Sequence, residues 1–186
     1  ASGRSPSRPR PKEHRETEAT DTRRNGGGAD RSGRPRRRRL PRLVVVGVPE
    51  GRAQARIRAA FGAAAPRLRI LPRLSVEAFR REVAAVDLAL DPVPFSGAAT
   101  TLEMLWQGVP VVTLPGASSP SRSTASMVSV LGLGDWIARD DDDYVAIVER
   151  ALADSAALAV LRGHLPIRLR ASALCDATAF TRKLER

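Results

Sequence analysis

The sequence predicts an α/β fold built on a doubly wound parallel sheet. Two observations predict it. Short aliphatic or β-branched runs alternate with amphipathic stretches at the spacing of successive strand–helix units. The apolar fraction is 42% but the aromatic fraction only 4%, so the core must be assembled from Ala, Val and Leu, which suits a sheet covered on both faces. With 186 residues the chain has room for one such domain and a tail.

The tail is residues 1–42. It holds 14 Lys/Arg against 5 Asp/Glu, and is otherwise rich in Pro, Gly, Ser and Thr with no hydrophobic period. So little apolar surface cannot offset ordering entropy, and the segment is expected to be disordered. Its arginines suit an arm for nucleic acid. No aromatic is interleaved for base stacking, however, and a solvated linker is the preferred reading. Residues 43–186 hold 17 Lys/Arg and 15 Asp/Glu, so most of the net charge of +11 belongs to the tail. The single cysteine, Cys175, excludes an internal disulfide, and with only His14 and His164 there is no Cys2His2-type zinc site. No apolar run approaches the roughly 18 residues of a membrane span, and no signal-peptide core opens the chain, so no membrane contact and a cytoplasmic location are expected. The chain starts on Ala rather than Met and is read as a fragment or processed product.

Order is expected from Leu43. Leu43–Gly47 reads as a buried strand, Gly51 to Gly62 as a helix, and Leu68–Leu71 as a second strand stopped by Pro72. Ser75 is a candidate N-cap for a helix burying Ala78, Phe79, Val83 and Val86. A strand at Leu88–Leu90 leads to a loop of small residues, Ser96–Thr101, then a helix over Leu102–Gln107 and a strand over Val111–Leu114. A helix from Ser121 to Leu131 and a short strand at Trp136–Ala138 follow. Asp140–Asp143 precede Tyr144, Ile147, Val148, Ala151 and Leu152, whose spacing marks an amphipathic helix with acids in its first turn. A helix from near Ser155 is expected to kink or end at Pro166, and Ala177–Leu184 forms the last one.

The stretch Asp87–Gly116 carries the chemistry. Ligands of open α/β sheets bind beyond the carboxyl ends of strands, beside helix N-termini whose amides lack partners. Loop 96–101 has that place, Thr100 and Thr101 add hydroxyl donors, and Glu103, two residues into the helix, could accept bonds from a ribose diol. The same residues also fit a purely local role, with Thr101 as N-cap and Glu103 complementing the helix dipole. Arg122 could reach a phosphate or pair with Asp135. Trp106 and Trp136 lie in apolar runs and are expected in the core, Cys175 is expected to pack before the last helix, and His164 is read as a surface residue. Asp140–Asp143 fit capping better than a metal site.

The blocks DPVPFSGAATTLEMLWQGVPVVTLPG, SRSTASMVSVLGLGDWIARDDDDYV and ALCDATAF resemble the C-terminal lobe of protein O-linked N-acetylglucosaminyltransferases, including bacterial tetratricopeptide-linked and plant Spindly-type proteins. The resemblance runs from about Leu43 to Glu185 and spares the tail. It implies a GT-B glycosyltransferase of two Rossmann-like lobes, this chain being the nucleotide-sugar-binding one. It further implies transfer of N-acetylglucosamine from its uridine diphosphate carrier (UDP-GlcNAc) to Ser/Thr of an acceptor protein, with inversion and with neither metal nor other cofactor. By that resemblance the diphosphate falls on Ala98, Ala99, Thr100 and Thr101, the ribose on Glu103, and the uracil on a pocket at Leu74, Phe79 and Arg81. The chain departs from the family where phosphate-facing side chains become Ala98 and Ala99, and where Val76 replaces a lysine. The family's catalytic histidine belongs to an N-terminal lobe that this sequence does not hold, so no catalytic residue is assigned and the fragment is expected to be inactive alone. Two other readings stand beside it: a non-catalytic module with an arginine-rich arm for nucleic acid, and a truncated remnant without function.

Overall fold

The computed structural model describes residues 41–185. The tail expected at 1–42, with His14, lies outside the described residues apart from Pro41 and Arg42. The remainder is a succession of strand–helix units: β1 (Leu43–Val46), α1 (Arg52–Phe61), β2 (Leu68–Leu71), α2 (Val76–Ala84), β3 (Ala89–Leu90), α3 (Ala99–Trp106), β4 (Val111–Val112), α4 (Ser123–Val130), α5 (Asp141–Ala153), α6 (Ser155–Arg170) and α7 (Ala177–Leu184). All strand pairing among the described residues is parallel. β1 pairs with β2 from Leu43↔Leu68 to Val46↔Leu71, and β3 pairs with β4 from Ala89↔Val111 to Leu90↔Val112. A parallel bridge, Thr113↔Ile137, extends the second pair.

The alternation of β4 sets the core. Val111 points into a cluster with Val83, Leu105, Val109, Val128, Leu165 and Leu169. Its neighbour Val112 points the other way, onto Ala138 and Ile147. The sheet is therefore covered on both faces here, as the near-continuous apolar run 109–114 implies. The single sheet of the sequence reading is in two pieces among the described residues, because no ladder joins β1–β2 to β3–β4. The four side chains of β1 are only half-buried in consequence.

Helix caps follow the sequence. Ser75 Oγ accepts the Ala78 amide at 3.2 Å, and Asp140 Oδ1 accepts the Asp143 amide at 2.8 Å. Asp140–Asp143 thus serve the start of α5. Two expectations change. Trp136–Ala138 is not a strand: a 3-10 turn, Gly134–Trp136, precedes the single bridge at Ile137. Pro166 does not end α6, which runs on to Arg170. The carbonyl that Pro166 deprives of a helical donor is that of Arg162. That carbonyl lies against Gly108, where a Cβ would come within 2.5 Å of it, and Gly108 has a φ of +77°. Leu165 and Leu169, both buried, anchor the helix on either side of the proline.

Candidate functional site

α3 begins three residues earlier than the sequence periodicity suggests. Ala98 is its N-cap and offers no side-chain cap. The amides of its first turn have no intrahelical partner and no side-chain cap, and α3 follows the carboxyl end of β3 through the loop 91–98. Ala98, Ala99 and Thr100 are exposed there. Small side chains leave the backbone accessible, which is what an anion bound by amides and a helix dipole requires.

Thr101 behaves differently. It is neither N-cap nor exposed: it lies within α3, is 2% exposed, and its Oγ1 sits 2.9 Å from Thr124 Oγ1 at the start of α4. Its hydroxyl is spent on packing two helix starts together. Thr124 Oγ1 also contacts the Gly97 carbonyl at 3.0 Å, and the Thr124 amide donates to Ser96 Oγ at 3.2 Å. The loop is held from its other side by Asp91, whose Oδ1 accepts the Gly97 amide at 2.7 Å and whose Oδ2 accepts the Thr113 hydroxyl at 2.8 Å. Tyr144 of α5 donates to the Asp91 carbonyl at 3.0 Å. Burial of the Tyr144 phenol, with the Asp91 charge beside it, pushes its pKa up to about 12.

Glu103 is the fifth residue of α3 rather than the second, because the helix starts early. This places it in the second turn, facing α2. Arg80 Nε donates to Glu103 Oε1 at 2.7 Å and Arg80 NH2 to Oε2 at 3.3 Å, with Gln107 Nε2 at 3.3 Å from Oε1. The Arg80 hydrogen bonds hold the Glu103 carboxyl below its ordinary pKa, against the opposing effect of partial burial. Arg80, which pairs with Glu103, and Arg81, which the resemblance assigns to the uracil, are both exposed. Phe79 packs on the main core cluster and Leu74 is half-buried just before the Ser75 cap.

Arg122 donates to the Gly116 carbonyl at 3.0 Å and tethers the second loop, instead of pairing with Asp135. Trp106 is 48% exposed, with the Arg170 guanidinium 5.0 Å over its ring, and so is not a core residue. Its place at the last position of α3 carries it to the protein surface. Cys175 is exposed rather than packed, because the Asp176 cap of α7 starts a helix with no buried residue. His164 is exposed as expected.

The sequence matches one enzyme family over nearly all of the described chain. The model of the family "Glycosyl transferase family 41" matches residues 47–184. The chain belongs to this family. A SPINDLY protein of Eustoma exaltatum, named as a probable UDP-N-acetylglucosamine–peptide N-acetylglucosaminyltransferase, is 37% identical over 100 residues, 54% of this chain and 11% of its own length. A UDP-N-acetylglucosamine–peptide N-acetylglucosaminyltransferase of Caenorhabditis elegans is 31% identical over 99 residues, 53% of this chain and 9% of its own. Among solved structures, a lysine mutant of the Thermobaculum terrenum O-GlcNAc transferase superposes with a TM-score of 0.70 at 35% identity, covering 77% of this chain and 29% of that one. The fold is thus that of a Rossmann-like α/β lobe of a GT-B glycosyltransferase. The chain spans about a tenth of the length of these curated relatives.

Proposed function

We propose that this family 41 chain is the nucleotide-sugar-binding portion of a protein O-GlcNAc transferase. The donor is UDP-GlcNAc and the acceptor a Ser or Thr hydroxyl of a protein. The observation that carries the reading is the uncapped start of α3 at the carboxyl end of β3, lined by Ala98, Ala99 and Thr100. The diphosphate lies against those amides, which stabilise the negative charge that develops on it as the sugar leaves. The Thr100 hydroxyl adds a donor. Glu103, oriented by Arg80, accepts the ribose diol. The loop before α2, at Leu74, and the exposed face of that helix, at Arg81, flank the base, and Arg122 stands at the second loop as a further phosphate contact.

In the same scheme the transfer inverts the anomeric carbon and needs no divalent metal, since amides and cationic side chains meet the leaving diphosphate. The group that deprotonates the acceptor hydroxyl comes from a second lobe, and acceptor proteins are held by tetratricopeptide repeats outside this sequence. The lobe by itself binds nucleotide without turning it over. Titration calorimetry of the folded chain with UDP tests this directly. Saturable binding is expected, and Glu103→Ala weakens it by about tenfold, the scale of losing hydrogen bonds to a charged group. No heat at millimolar UDP from a folded sample would refute the site, and an unchanged affinity in Glu103→Ala would remove that residue from the ribose role.

A further inference from the structure

Five polar or charged side chains are buried among the described residues: Asp91, Thr101, Thr113, Ser121 and Thr124. Four of them form one chain of hydrogen bonds, with the Gly97 peptide at its centre. Thr113 donates to Asp91, Asp91 accepts the Gly97 amide, Thr124 contacts the Gly97 carbonyl, and Thr101 contacts Thr124. No buried side-chain polar atom among the described residues lacks a partner. Asp91 is the one charged side chain in the set, at 5% exposure. Burying a carboxylate costs heavily unless its acceptor sites are filled, and apolar residues of similar size would stabilise the core as well or better. A fully satisfied polar network has a different effect, which is to specify a single arrangement of the groups it joins.

Here the group it joins is the loop under the phosphate site. The Asp91 carboxylate takes the Gly97 amide at 2.7 Å, so that amide points inward and away from a ligand. With Gly97 fixed on its N–H side by Asp91 and on its C=O side by Thr124, the next residues enter α3 in one direction only. Any side chain at 97 would disturb this, because a Cβ there would stand 2.5 Å from Thr101 Oγ1 and 3.4 Å from Asp91 Oδ1.

We propose that Asp91, itself out of reach of the ligand, is the positioning residue of the diphosphate loop: by holding the Gly97 amide and the Thr113 hydroxyl together it aims the Ala98–Thr100 amides at the phosphates. This rests on the nucleotide-binding reading above. Three variants test it. Asp91→Ala removes both contacts. Asp91→Asn keeps them, since its Oδ1 can accept the Gly97 amide and its Nδ2 can donate to Thr113. Thr113→Val leaves the carboxylate but removes one of its two anchors, and serves if Asp91→Ala does not fold. Each is examined by amide hydrogen exchange at residues 97–101 and by titration with UDP and with uridine. Asp91→Ala is expected to speed exchange at Gly97 and to weaken UDP by about tenfold, while uridine, which has no phosphate, binds as to the wild type. Asp91→Asn restores UDP affinity to within about threefold of the wild type, or tighter, because a negative charge beneath the anion is gone. Thr113→Val gives the same selective loss on a smaller scale. Unchanged Gly97 exchange, or equal losses for UDP and uridine, in a folded Asp91→Ala or Thr113→Val protein would overturn the assignment. A wild type that binds no UDP would overturn the nucleotide reading first, whatever the exchange data show for Asp91.

Discussion

Gly97→Ala puts the loop under a defined load. The added Cβ would lie 2.5 Å from Thr101 Oγ1 and 3.0 Å from Thr100 Oγ1, where ordinary contact begins at 3.4 Å. Thr101 cannot swing clear: it is 2% exposed and bonded to Thr124, which is fully buried. Either Thr101 shifts and loses that hydrogen bond, or the Gly97 peptide moves off Asp91. Overpacking of this kind costs about 1–3 kcal/mol, and the lost hydrogen bond about 1 kcal/mol more. The expected destabilisation is therefore about 2–4 kcal/mol. Urea unfolding, followed by the fluorescence of Trp106 and Trp136, gives the free energy if the slope is unchanged. Gly134→Ala is the control, because nothing lies within 4 Å of the Cβ it would add. UDP affinity in Gly97→Ala should fall with the displaced amides. A Gly97→Ala protein within about 0.5 kcal/mol of the wild type, with unchanged UDP affinity, would refute the rigid-loop reasoning.

Other outcomes follow from single contacts. Gly108→Ala meets backbone, the Arg162 carbonyl at 2.5 Å, at a φ of +77°, and should lower stability by about 2–4 kcal/mol in the same urea assay. Tyr144 is the sole tyrosine, so alkaline spectrophotometric titration reads its ionisation alone, expected at about 12. Its folded pKa is raised, so it contributes stability that is intact below its unfolded value of about 10 and is lost as pH rises toward the folded one, a loss on the order of 2 kcal/mol that Tyr144→Phe abolishes. Ionisation near the ordinary value would show the phenol to be free. The Glu103 carboxyl is held low by Arg80, and the pair therefore stabilises the fold above the unfolded value of about 4.3 and loses that contribution as pH falls through the lower folded one. Arg80→Met should lower stability only slightly at neutral pH, as for an exposed ion pair, and the difference from the wild type in urea unfolding should vanish in acid.

The elements were legible wherever local chemistry decides them. Alternating strand and helix runs, the Ser75 cap, the Asp140 cap and the bounds of α7 all rest on interactions within one segment. What escaped reading depends on partners far along the chain. Thr101 looks like an N-cap until Thr124 claims its hydroxyl, 23 residues away. The partner of Glu103 could not be read at all, because only the approach of α2 to α3 brings Arg80 to it across 23 residues. Pro166 fails to end α6 because the core grips Leu165 and Leu169 and Gly108 makes room for the Arg162 carbonyl. Asp91 had a visible signal, an acid directly after the apolar run 88–90, but its role needs the fold to bring Thr113 beside it.

α3 joins these findings into one device. Its C-terminal end is braced by α6: Gly108 lies against the Arg162 carbonyl, and Arg170 covers Trp106. Its N-terminal end is fixed by the polar chain through Asp91, Gly97 and Thr124. Leu105, fully buried, pins the helix body to the core between them. The eight residues of α3 make a rod of about 12 Å, so the two ends share no contacts. A helix held at both ends and in the middle cannot tilt to follow a ligand. In the function proposed above the diphosphate must fit the amides where they stand, and such preorganisation favours an anion site built mainly on backbone, with few side-chain donors beside it.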